Sequence, residues 1–124
     1  MVRLFLGLFC LVHGLAHLVG FFAAWRPSVI PELAHKTTIL SGRMDLGEAG
    51  IRVMGLLWLL LALAFVGAGG MLWLKMAPAA NLVLVLAAAS FVLSVVAWPD
   101  SQVGVVANLL IAIAVLAILR YGWM

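Results

Sequence analysis

The stretch VRLFLGLFCLVHGLAHLVGFFAAW, residues 2–25, decides how the chain is read. After Arg3 it holds no Lys, Arg, Asp or Glu until Arg26. At about 1.5 Å of rise per residue it is long enough to cross a hydrocarbon layer of about 30 Å. A secretory leader has an apolar core of only about 7–15 residues. This run is longer and is interrupted by His13 and His17, so it reads as a retained helix.

Three further runs of similar character follow, about 51–74, 79–98 and 103–120. Each approaches the roughly 20 residues that a spanning helix needs. The expected fold is therefore all-α: a polytopic membrane protein with four transmembrane helices in an up-down bundle and one longer first loop. Residues 1–124 form a single domain in this reading. Spans three and four are joined by Trp98-Pro99-Asp100-Ser101-Gln102, and spans two and three by a few residues around Lys75 and Pro78. Such short connections place consecutive helices side by side. Four crossings leave both termini on one face, with Trp25 and Trp98 at one interface and Trp73, Tyr121 and Trp123 at the other.

Composition agrees. Of 124 residues 68% are hydrophobic and 9% charged, with a mean hydropathy of +1.32. A chain of this size has too much surface for its volume to hide that many apolar side chains from water, so lipid must be the solvent. The net charge of +3 comes from seven Lys/Arg and four Asp/Glu scattered singly, which excludes the basic stripe that tracks nucleic acid. The expected partners are the lipid bilayer and other membrane subunits or further copies of the chain.

The connection 26–50 is the exception to the short loops. It is broken by Pro27, Pro31 and the stretch Ser41 to Glu48, and it holds much of the charge. A loop longer than about 12–15 residues is usually functional or disordered. Val29, Ile30, Leu33, Ile39 and Leu40 give it apolar weight, so a short interfacial helix or a lid is expected. Lys and Arg divide almost evenly between the two faces, whereas Glu32, Asp45, Glu48 and Asp100 all lie on the loop face. Cytoplasmic termini are the expectation.

Polar residues at membrane depth are the candidate site. His13 and His17, four residues apart, share a helix face, and Cys10 lies one turn before His13 on the same side. Counting eight residues from Trp25, Trp98 and Asp100 puts His17, Ser90 and Asn108 at one level, about 12 Å below the loop face. Ser94, Asp100, Arg52 and Arg43 extend a polar track to the surface. One reading is interhelical hydrogen bonding that fixes register. A second is a pocket for a quinone or lipid headgroup, using His13, His17, Ser90 and Asn108, with Arg43, Asp45 and Asp100 at its mouth. A third is a copper or zinc site on Cys10, His13 and His17. Haem needs an axial ligand from elsewhere, because two histidines on one face of one helix cannot clasp an iron from both sides; Met54, Met71 and His35 are the candidates. No span holds an Asp or Glu of the kind a proton-coupled pump uses, and the single Cys10 has no partner thiol for redox exchange.

The string His13-Gly14-Leu15-Ala16-His17-Leu18-Val19-Gly20-Phe21 resembles a group of small four-helix bacterial membrane proteins loosely labelled transporter permeases. Ile30-Pro31-Glu32-Leu33, Gly55 to Leu60 and Trp98 to Leu110 resemble the same group, and the likeness departs at about His35 to Gly50. The general layout is also similar to that of DoxX-like membrane proteins. The resemblance implies the topology and a bacterial inner membrane, and brings no activity or cofactor with it. The functional expectation is an accessory or self-associating subunit without catalysis or cofactor of its own. The alternative is an intramembrane ligand-binding or redox-linked protein using His13 and His17, with a quinone or lipid, haem, copper or zinc as the bound group.

Overall fold

A computed structural model describes residues 1–32 and 35–123. Four helices, α1 (Val2–Trp25), α2 (Gly47–Trp73), α3 (Ala79–Val96) and α4 (Gln102–Tyr121), form an all-α bundle, each helix long and apolar enough to cross a membrane. The chain is a multi-pass membrane protein. Side chains such as Leu4, Leu60, Leu63, Val85 and Ile113 point outward, as lipid-facing residues must.

The helices pair as two hairpins. The backbones of α1 and α2 approach along their whole length, as those of α3 and α4 do over theirs; α1 meets α3 and α4 at few points. Small residues explain the first pairing. A Cβ added at Gly14 would come within 2.9 Å of the Ala62 carbonyl, and one at Gly69 within 2.8 Å of the Gly7 carbonyl. Near the loop face Gly55 lies against Ala24 and Trp25, and the Trp58 indole packs against Gly20. The positions Gly55, Ala62 and Gly69 recur every seven residues, so one small-residue seam on α2 faces α1 throughout. Close backbone approach of this kind is how helices gain packing energy when lipid already satisfies their apolar surface. Gly67 and Gly70 face open space, and α2 runs through them unbroken to Trp73.

Between the hairpins, the half of the bundle nearer the termini is filled with apolar side chains. Leu6, Cys10, Phe65, Leu72, Val83, Ile111, Val115 and Ile118 form a continuous buried core.

The first connection differs from expectation. It contains no interfacial helix among its described residues; Leu33 lies outside them. A single 3₁₀ turn, Pro27–Val29, is followed by a two-stranded antiparallel hairpin, β1 (Thr38–Ile39) with β2 (Met44–Asp45). Helix α2 begins at Gly47, inside the segment read as loop, because the Asp45 carboxylate accepts the Gly47 N–H (2.9 Å) and Glu48 faces the positive end of the helix dipole. The hairpin tip is left-handed at Leu40, Ser41 and Gly42. Leu40 and Ser41 tolerate that strain because their N–H groups donate to Val96 O (2.9 Å) and Trp98 O (3.1 Å), carbonyls left open at the end of α3. The first loop thus crosses the bundle and is fastened to the α3–α4 turn, where Lys36 also pairs with Asp100 at 2.7 Å.

Candidate functional site: a polar cluster beneath a roofed cleft

Four polar side chains meet where the hairpins face one another. His13 and His17 come from α1, Ser90 from α3 and Asn108 from α4, and all are buried. Their hydrogen bonds can be traced from the one end that is fixed, the Asn108 amide. Asn108 Nδ2 lies 2.8 Å from the Gly104 carbonyl, which only accepts, so this end of the side chain is the NH₂ group. Its second N–H donates to Ser90 Oγ (2.8 Å), and Asn108 Oδ1 accepts from His13 Nε2–H (3.0 Å). His17 Nδ1–H donates to the His13 carbonyl at 2.7 Å, one turn back. Ser90 O–H then donates to His17 Nε2 (2.7 Å). The circuit closes in this way with both imidazoles uncharged.

Aromatic rings close it from below and beside. The Phe65 ring meets His13 edge-on (centroids 4.9 Å apart) and lies 5.3 Å from His17, while Trp58 packs on the far side of His17 at 5.3 Å. In lipid each such interhelical hydrogen bond contributes about 0.6–1.7 kcal/mol. The cluster is therefore the main polar tie between hairpins whose backbones otherwise touch little.

Above the cluster lies a cleft of about 640 Å³, within the range of small-molecule sites. Its floor is His13 and His17; its walls include Gly20, Met54, Trp58, Gly104 and Ala107; Thr38, Ile39, Ser41 and Gly42 of the hairpin form its roof. Lys36 and Asp100, paired with each other, sit at the rim. Among the described residues Ser94 Oγ is the one fully buried side-chain polar atom without a hydrogen-bond partner, and Ser94 lines this cleft. Gly104 makes room for it: a Cβ there would come within 2.7 Å of the Ser94 hydroxyl.

The expected residues thus divide. His13, His17, Ser90 and Asn108 converge, with His17 on Ser90 and Asn108 reaching one turn deeper to His13. Asp100 reaches the cleft. Arg43 and Asp45 do not line it: both are exposed on the hairpin, and the Asp45 carboxyl is held below its ordinary pKa by the Gly47 N–H and the Thr37 side chain. Cys10 packs in the apolar core, and among the described residues no three His, Cys, Asp or Glu side chains are placed to hold a metal ion. Met54 lines the cleft, whereas Met71 packs against the core in the other half. His35 sits outside the bundle, its Nδ1 on the Ala23 carbonyl (3.1 Å) and its Nε2 on the Glu48 carboxylate (3.1 Å).

Among the cleft residues that went unassigned in the sequence are Trp58, Gly104, Ala107 and Lys36. Only the spacing of Ser94 one turn above Ser90 signalled this space, since a second serine on the same face of α3 continues the polar stripe toward the surface.

Chemically, the circuit is a poor proton wire. A proton passing from one histidine to the other has to cross the Asn108 amide, which donates through nitrogen and accepts through oxygen without ready exchange between them. The circuit leaves one open valence. Among the described residues His13 Nδ1 has no hydrogen-bond partner. Comparison with protein families, curated proteins and solved structures finds no match to this chain.

Proposed function

We propose that the protein binds a small lipid-soluble molecule inside the membrane, with the cleft as its site. The observation that carries this reading is the cleft itself: largely apolar walls over a polar floor of His13 and His17. The polar cluster supports the site by fixing the register of its walls. Residence in a bacterial inner membrane with cytoplasmic termini completes the proposal.

A second reading rests on the closure of the circuit. Both nitrogens of His17 and all the hydrogen-bonding groups of the Asn108 side chain are satisfied within the chain, as residues that only hold hairpins together require. On that reading the protein is an accessory or self-associating subunit. Ala107→Phe separates the two, because it fills the cleft from α4 and leaves the circuit intact. The expected outcome is that an organic extract of the wild-type protein, purified in mild detergent, contains a stoichiometric compound by mass spectrometry and that the Ala107→Phe extract lacks it. Extracts without any such compound from both proteins would favour the subunit reading.

A further inference from the structure

We infer that the termini face carries a second site, for the headgroup of an anionic phospholipid, in a pocket lined by Arg3, Trp73, Lys75 and Trp123. It lies at the opposite end of the bundle from the cleft and does not depend on the binding reading above.

Charge is unevenly placed in this chain. On the loop face Arg26, Lys36, Arg43 and Arg52 stand against Glu32, Asp45, Glu48 and Asp100, so the net charge of +3 falls on Arg3, Lys75 and Arg120 at the other face. That face has no Asp or Glu side chain. Among the described residues the ion pairs involve neither Arg3 nor Lys75.

These two cations line one pocket of about 540 Å³. The start of α1, the end of α2, the turn after it and the segment past α4 all contribute to it. The Trp73 indole N–H donates to the Leu4 carbonyl (3.3 Å), which ties the end of α2, two residues before Lys75, to the residue after Arg3. Arg3 is partly exposed and Lys75 fully so, and the exposed Trp73 and Trp123 rings belong to the aromatic belt, which sits at headgroup level. Leu4 and Leu72 in the lining suit the first carbons of an acyl chain.

Lys75 also occupies a position that glycine fills without strain. Its φ is +58°, and α2 closes through it: the Lys75 N–H donates to Leu72 O (3.1 Å) and the Met76 N–H to Met71 O (3.0 Å). What lysine adds there is a cation at the pocket. A headgroup phosphate meets two cations and no acid in this place, whereas the ammonium of a zwitterionic head meets no counter-charge.

The test is native mass spectrometry of the detergent-purified protein titrated with dioleoyl phosphatidylglycerol or dioleoyl phosphatidylcholine. Phosphatidylglycerol is expected to bind at least about fivefold more tightly. Arg3→Gln and Lys75→Gly should each weaken it by about three- to fivefold and leave phosphatidylcholine unchanged. Lys75→Gly relieves the left-handed strain, so its unfolding temperature should not fall, and its binding loss is then not a loss of fold. Arg43→Gln, on the loop face, is expected to bind phosphatidylglycerol as the wild type does. Equal affinity for the two lipids overturns the inference, as does a loss from Arg43→Gln as large as that from the pocket variants. Displacement of phosphatidylglycerol by excess inorganic phosphate would assign the pocket to a free anion and overturn it as well. The cleft is untouched by these variants, so the two readings fail separately.

Discussion

The two halves of the bundle, divided at the level of His13, are built from the same four helices and solve different problems. Toward the termini Phe65, Leu72, Val83, Ile111 and Val115 fill the space between the hairpins. Toward the loop that space is held apart by short polar side chains and left hollow. The dry half needs no polar tie because its side chains interdigitate. The hollow half lacks that contact and relies on the His13–Asn108–Ser90–His17 circuit, the Leu40 and Ser41 amides and the Lys36–Asp100 pair. Packing therefore makes one half the anchor and leaves the other free to enclose something.

The comparison breaks most visibly in the dry half. Replacing Gly69 by Leu drives a side chain into the Gly7 carbonyl on α1, a backbone atom that cannot turn aside. The expected loss is about 3 kcal/mol, read as a drop in unfolding temperature in detergent. The same substitution at Gly67, which faces open space, is expected to change little.

Next in size is the tie itself. Asn108→Leu removes the bonds to His13, Ser90 and Gly104 at once and strands the His13 N–H among aromatic rings. A loss of about 2 kcal/mol is expected. Adding His13→Phe removes the stranded donor, so the double variant should lose less than the sum of the two single ones. Strict additivity would mean that His13 and Asn108 do not act together.

The smallest effect belongs to the roof. His35 donates to Ala23 O through Nδ1 and faces the Glu48 carboxylate through Nε2, an arrangement complete only in the imidazolium form. The Ala23 and Glu48 hydrogen bonds raise its pKa above the ordinary 6.5, against the opposing charge of Arg52. A raised value in the folded state means this contact contributes fully below 6.5 and is lost as pH climbs through the higher folded value. Asp45 has the opposite sign: its pKa is lowered, so its bond to Gly47 is retained above the ordinary 3.8 and lost on acidification below it. The roof should hold best at mildly acid pH. Protection factors of the amides of residues 38–45, which remove the intrinsic pH dependence of exchange, are expected to fall as pH climbs past the raised His35 value and again on acidification below 3.8, and His35→Gln should abolish the upper change only.

The sequence made the helices legible because lipid imposes a length and an apolarity that any spanning segment must meet. It also made the depth of His17, Ser90 and Asn108 legible, since rise per residue is fixed. It did not show which faces converge. The depth count put His17 level with Asn108, yet the Asn108 amide reaches down to His13, a choice set by its bond to Gly104 and by the crossing of α1 and α4. Nor did it show the hairpin, whose strained tip is held by Val96 and Trp98, more than fifty residues away in the chain. Arg43 and Asp45 were drawn in by their charge alone; the turn that carries them points them to solvent.

Photo-crosslinking tests the central claim most directly. A lipid-soluble alkyl diazirine is incorporated into nanodiscs with the wild-type protein, illuminated, and its adducts mapped by mass spectrometry. Adducts should concentrate on Met54, Trp58 and Ala107, which line the cleft and are not fully exposed. Adducts confined to outward residues such as Leu60, Leu63 and Leu116 would show that the probe never leaves the surrounding lipid, and would contradict an intramembrane binding site.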